Sequence, residues 1–110
     1  MRLPNAEKAL VEIVKLQDYC LNTGHPEGRH KARVFYSALG LGFRDANELQ
    51  AALWAAARES EAIPTDQDAY GQRYVVDFEM LRGGRKATVR SSWIIRTQEN
   101  FPRLTSCFVL

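Results

Sequence analysis

Two successive glycines, Gly83 and Gly84, separate two alternating apolar segments that together span Tyr70 to Thr97. Adjacent glycines supply the positive φ angles of a two-residue primed turn, and such a loop fixes which residues face each other across the strands. The pattern therefore predicts a β-hairpin with a defined register. Met80 faces Ala87, Phe78 faces Val89, Val76 faces Ser91 and Tyr74 faces Trp93. Successive strand residues point to opposite sides, so these pairs share one face, and it is almost wholly apolar. That face should rest on helices. The reverse face pairs Leu81 with Lys86, Glu79 with Thr88, Asp77 with Arg90, Val75 with Ser92 and Arg73 with Ile94, and it is half polar.

The segments before the hairpin supply the helices. Leu16, Tyr19, Cys20 and Leu21 fit a short amphipathic helix from about Val14 that ends before Asn22. A second helix is expected from Gly28 or Arg29 to Leu39, with Ala32, Phe35 and Leu39 inward and Gly40 as its stop. A third runs from Asp45 to about Ser60 on an inner stripe of Leu49, Ala52, Leu53 and Ala56, with Asp45 and Glu48 spaced as a capping box. Ala6 to Val14 has no clean period and fits either a helix or an edge strand leading into a helix. Glu61 to Ala69, polar and holding Pro64, reads as a connection, and Gln98 to Pro102 as a turn. Arg103 to Leu110 alternates as a further strand, with Leu104, Ser106, Phe108 and Leu110 on one face and Thr105, Cys107 and Val109 on the other. The fold class is α+β, with two or three N-terminal helices packed on a three- to four-stranded antiparallel sheet built around a C-terminal β-hairpin.

At 110 residues the chain is expected to form a single domain, and 45% hydrophobic with 25% charged residues argues against disorder, collagen or coiled coil. No secretory pattern and no apolar run of membrane length is present, so the expectation is a cytoplasmic protein with no membrane partner. Cys20 and Cys107 match no CxxC or zinc spacing and read as buried thiols. The net charge of +2 says less than its distribution. Arg82, Arg85, Lys86, Arg90, Arg96 and Arg103 gather in one stretch, Arg29, His30, Lys31 and Arg33 in a second, and Glu59, Glu61, Asp66 and Asp68 in an acidic one. Basic clusters of this kind suit a phosphate-bearing ligand, and equally well a solvated surface.

No phosphate-binding loop, dinucleotide fingerprint, HExxH, nucleophile elbow or zinc-deaminase pattern occurs. Cys20, His25 and His30 recur at intervals of five but want a further ligand, so neither a metal nor a cofactor is expected. The sharper constellation is the run from His25 to Phe35. Ala32 and Phe35 turn inward, leaving His30, Lys31 and Arg33 around a helix start whose free amides carry partial positive charge, where Lys31 and Arg29 could hold a phosphate. Arg90 faces Asp77 with Ser92 and Arg96 on its side, either as a cross-strand ion pair or as a preoriented phosphate clamp. Trp93 reads first as core.

The stretches Leu3-Pro4-Asn5-Ala6-Glu7-Lys8-Ala9, His25-Pro26 with Gly28 to Phe35, Trp93-Ile94 and Pro102-Arg103-Leu104-Thr105 resemble a family of small bacterial domains of unknown function. The resemblance covers essentially the whole chain. Such domains resemble the C-terminal modules of polymorphic toxins or one member of a toxin and antitoxin pair. The order of helices then sheet also resembles, at fold level, the barnase, EndoU, colicin and RelE ribonucleases. These resemblances imply a metal-independent endoribonuclease in which a ribose 2′-hydroxyl attacks the adjacent phosphate. His30, Lys31, Arg90 and Thr105 are the catalytic candidates, and Arg29, Arg33, Ser92, Trp93, Arg96 and Arg103 the substrate-binding ones. The implied partners are RNA, tRNA among its forms, and a small cognate antitoxin-like protein, and a free sheet edge would permit a homodimer. The alternatives are a non-catalytic RNA- or protein-binding module, or the immunity partner of such a pair.

Overall fold

The computed structural model describes the whole chain, Met1–Leu110. Four antiparallel strands, β1 (Ala62–Asp68), β2 (Gly71–Arg82), β3 (Arg85–Arg96) and β4 (Arg103–Val109), form one sheet in chain order. A helical layer covers one face: α1 (Ile13–Lys15) running on into a π-helical turn over Leu16–Cys20, then α2 (Arg29–Leu39) and α3 (Ala46–Glu59). The fold is α+β as expected. No helix is long and apolar enough to cross a membrane.

Gly83 and Gly84 adopt φ of 54° and 81°, the left-handed pair that a type I′ turn needs. The β2–β3 register follows from them without a break, from Arg82 opposite Arg85 to Gly71 opposite Arg96. Tyr74, Val76, Met80, Val89 and Trp93 are accordingly buried under the helices, against Phe35, Leu39, Leu49 and Leu53. One polar side chain lies in this core. The Ser91 hydroxyl donates to the Val76 carbonyl at 2.7 Å and accepts the indole N–H of Trp93 at 2.9 Å, which lets a tryptophan sit fully buried without an orphaned donor.

Arg82, at the tip of the hairpin, ties the sheet to two helices. Its Nη1 donates to the carbonyls of Leu39 and Gly40 at 3.1 and 3.0 Å, covering free acceptors at the end of α2. Its other nitrogens pair with Glu48 at 2.6 Å and Asp45 at 3.2 Å at the start of α3. The expected capping box is therefore replaced. Asp45 makes no side-chain cap to α3; its Oδ2 accepts the N–H of Gly42, and both carboxylates turn to the guanidinium, where charge-assisted bonds are stronger.

Three other expectations are corrected. Glu61 to Ala69 contains a strand, β1, which only Ala62 anchors in the core. An edge strand tolerates Pro64, and a bulge between Pro64 and Gln67 breaks its alternation, so neither period nor composition reveals it. In β4 a second bulge falls at Thr105: Ser92 faces Ser106 but Trp93 faces Leu104. Leu104 therefore shares the buried face with Cys107 instead of pointing outward with Ser106 and Phe108. Ala6 to Val14 forms a 3-10 turn, a bridge from Leu10 to Arg103 and the start of α1. Cys20 and Cys107 are free, buried thiols in contact with each other, with the Cys107 thiol pushed well up by Cys20 and by burial.

Replacing Ser91 with alanine removes the acceptor from a buried indole N–H. Ser91→Ala should cost roughly 1–3 kcal/mol in denaturant unfolding, through a lower midpoint with an unchanged slope. An unchanged midpoint would show that Trp93 has another acceptor.

Candidate phosphodiester-binding face

Alternation on β2 and β3 puts Asp77, Glu79, Thr88, Arg90 and Ser92 on the face away from the helices, and the Thr105 bulge brings Ser106 and Phe108 of β4 to the same face. No layer of the chain covers this surface. Arg90 pairs laterally with Asp77 on one side and Phe108 on the other. Its Nε and Nη2 each donate at 2.9 Å to the two oxygens of Asp77, a bidentate pair that holds the guanidinium in one orientation. The pair is half exposed, and the remaining guanidinium N–H groups are free to donate outward.

Lys31 reaches this face from the helical layer. Its Nζ stands 4.5 Å from the centroid of the Phe108 ring, a cation–π contact. Phe108 lies on the edge strand β4, where its half-buried ring comes within reach of a side chain from the helical layer. Gly28 helps set the position of α2, because a Cβ there would lie 2.6 Å from the Tyr19 carbonyl oxygen, and the helix start is thereby laid directly on the preceding turn. Lys31 and Arg90, distant in sequence, thus come to one aromatic ring in different ways, Lys31 over its face and Arg90 as its neighbour on β3 with the guanidinium turned to Asp77. Beside them, Thr105 donates its hydroxyl to the Ser92 carbonyl at 3.0 Å, which leaves its oxygen free to accept only, while the Ser92 and Ser106 side chains face each other across the strands.

The other candidates separate from this group. A helix turns about 100° per residue, so His30 projects opposite the buried stripe of Ala32, Phe35 and Leu39, and Arg29 and Arg33 lie on the flank away from Lys31. The four basic residues of that run do not converge. Arg29 donates to the Pro26 carbonyl, and Arg33 is exposed. Trp93 is fully buried, so its assignment to substrate binding is corrected: it is core. Arg103 is held in a bidentate pair with Glu99, at 2.7 and 2.6 Å, and leans on Phe101. Arg96 lies at the far end of β3 opposite Gly71.

Some contributors escaped the sequence reading. His25 has a structural job: its Nδ1 accepts the N–H groups of Glu27 and Gly28, both at 3.0 Å, and its ring meets Tyr19 edge to face. Those amides are therefore not available to an anion at the α2 start. Phe108 gave no signal, because its role depends on a bulge. On the other flank of α2 the exposed rings of Tyr36 and Phe43 line a cavity of about 520 Å3 with Leu21, Asn22 and Thr23.

A family model matches residues 2–110, leaving only Met1 outside it. The chain belongs to the DUF6883 family. The family is described as a domain of unknown function, so membership fixes the domain type without naming a reaction. Searches of curated proteins and of solved structures return no match. In this DUF6883 domain Lys31, Phe108, Arg90 and Asp77 join the helical layer, β4, β3 and β2 along one side of the sheet.

Hydrogen bonds from Arg90 hold the Asp77 carboxyl below its usual range. A carboxyl whose folded pKa is depressed stabilises the fold above its unfolded pKa, and that stability is lost as pH falls through the folded value, here below about pH 4. Asp77→Asn should therefore flatten the fall in stability as the pH drops below about 4, measured by urea unfolding through the acid range. The amplitude will be small because the pair is partly exposed. Identical acid profiles for wild type and variant would show that the pair contributes nothing.

Proposed function

We propose that this domain acts on RNA as a toxin-like, metal-independent endoribonuclease, with the outer face of β3 and β4 and the side chain of Lys31 as its phosphodiester site. The observation that carries the reading is that Phe108 has Lys31 over its ring and Arg90 as its cross-strand partner, two cations from different layers beside one half-buried aromatic ring. An aromatic ring offers a stacking surface to a base, and flanking cations meet the adjacent phosphate. In the reaction the 2′-oxygen bonds to phosphorus, the bond to the 5′-oxygen breaks, the 2′-hydroxyl proton leaves and the 5′-oxygen gains one. Lys31 and Arg90 would offset the extra negative charge on the five-coordinate phosphorus, with Arg90 preoriented by Asp77. Ser92 and Ser106 are the hydroxyls within this surface. A small cognate protein that covers it would act as the antitoxin.

A second reading has a specific observation in its favour. His30 projects away from this face, so the only imidazole offered as a base or acid stands apart from the two cations. The same surface would then bind RNA without cutting it.

Incubation with total bacterial RNA and isolated tRNA in EDTA separates the two. Cleavage predicts discrete fragments ending in 2′,3′-cyclic phosphate, reduced at least about a hundredfold in Lys31→Ala and Arg90→Ala proteins that still fold. Intact RNA that is nevertheless retarded by wild-type protein establishes the binding reading. Intact, unretarded RNA overturns both.

A further inference from the structure

The largest cavity lies on the opposite side of β2, away from Arg90. β1 pairs with β2 only as far as Ala62 opposite Val76, so from Asp77 to the hairpin tip β2 has a strand neighbour on one side alone. α3 does not close the gap. Between it and the open edge runs a groove of about 720 Å3, with Ser60 and Glu61 at the point where the chain enters β1. Paired groups alternate along an antiparallel ladder, and the turn makes Arg82 and Arg85 a hydrogen-bonded pair, so Glu79 and Leu81 aim their backbone N–H and C=O away from β3 into the groove. An edge of this kind is a template for another strand.

The groove also specifies what such a strand should carry. Ala52, Ala55 and Ala56 of α3 face Phe78 and Met80 of β2, giving an apolar wall on the helical side. Glu48, Glu59, Glu61, Asp77 and Glu79 line the groove with no lysine or arginine among the lining residues, although Glu48 is paired with Arg82 and Glu61 with the N-terminal amine. Arg90 and Lys86, the partners of Asp77 and Glu79, stand on β3, away from the open edge, and ionised carboxylates keep further acceptor positions.

We propose that the free edge of β2 from Asp77 to Leu81 docks an extended segment of a partner protein, in which basic and apolar residues alternate. Apolar side chains enter the wall made by α3, and basic ones lie over Asp77 and Glu79. A second copy of this chain is a poor occupant, because antiparallel pairing of two such edges centred on Glu79 sets glutamate against glutamate. The same acids repel RNA. The proposal concerns the open edge of β2 and a different kind of ligand, and shares only Asp77 with the ribonuclease reading.

The geometry dictates one further detail. In antiparallel addition, which continues the pairing of this sheet and is the direction proposed, residues opposite Glu79 and Leu81 point their side chains to the outer face and their own N–H groups at β2. In a bound peptide these are the basic residues.

The test uses wild-type protein and an end-capped, fluorescent seven-residue peptide alternating lysine and valine. Binding should shift the amide resonances of Phe78 to Leu81. Replacing the lysines by glutamate, or N-methylating the lysine nitrogens, should weaken binding at least about tenfold, whereas N-methylating the valines should leave it unchanged. No binding, shifts elsewhere, equal affinity for the glutamate peptide, or equal loss from the two N-methylated forms would each overturn the proposal.

Discussion

The unbroken pairing of β2 with β3 places every other element of this domain. A two-residue turn leaves one register available, and that register gathers Val76, Met80, Val89 and Trp93 on a single side. An apolar surface of this size must be covered, and α2 and α3 cover it. Arg82 makes the attachment directional as well as hydrophobic, since one guanidinium at the hairpin tip bonds the end of α2 and the beginning of α3 together. The helices cannot slide along the sheet without breaking charge-assisted bonds.

The helices take one face, so the outer face and the two flanks of the sheet remain for ligands, and charge divides them. Toward β4 the exposed surface carries Lys31, Arg90 and Phe108, with serine hydroxyls between. Toward the free half of β2 it carries Asp77, Glu79 and the glutamates of α3. The Asp77–Arg90 pair stands on the boundary and belongs to both: its guanidinium faces the basic side, and its carboxylate the acidic edge. A nucleic acid and a basic peptide would therefore meet different parts of one sheet, and a partner that lengthened β2 would come to lie next to the arginine.

The sequence was most legible where local chemistry dictates geometry. Gly83-Gly84 gave the turn and, through it, every pair of the hairpin; the apolar spacing of α2 and α3 gave their inner faces. It was least legible where one extra residue matters. A bulge at Thr105 reverses Leu104 and sends Ser106 and Phe108 outward with Arg90, and no pattern of residue types marks it. The same holds for β1, a strand with a single buried residue. For the site, Arg90 opposite Asp77 was readable, but the joining of Lys31 to Phe108 depends on how α2 lies over β4. The run from Arg29 to Arg33 read as one cluster because sequence proximity hides helical rotation: His30 and Lys31 are neighbours in the chain and project in different directions.

The central claim is that RNA phosphate is held on the outer face of β3 and β4. Its most direct test is a backbone-amide NMR titration with a short single-stranded RNA whose 2′-hydroxyls are replaced by hydrogen, so that the strand can bind but cannot be cut by 2′-oxygen attack. The account predicts shifts concentrated at Arg90 to Ser92 and Thr105 to Phe108, with movement at Lys31 as its side chain exchanges ring for phosphate. Shifts confined to Arg29, Arg33, Tyr36 and Phe43, or none at saturating RNA, would contradict it.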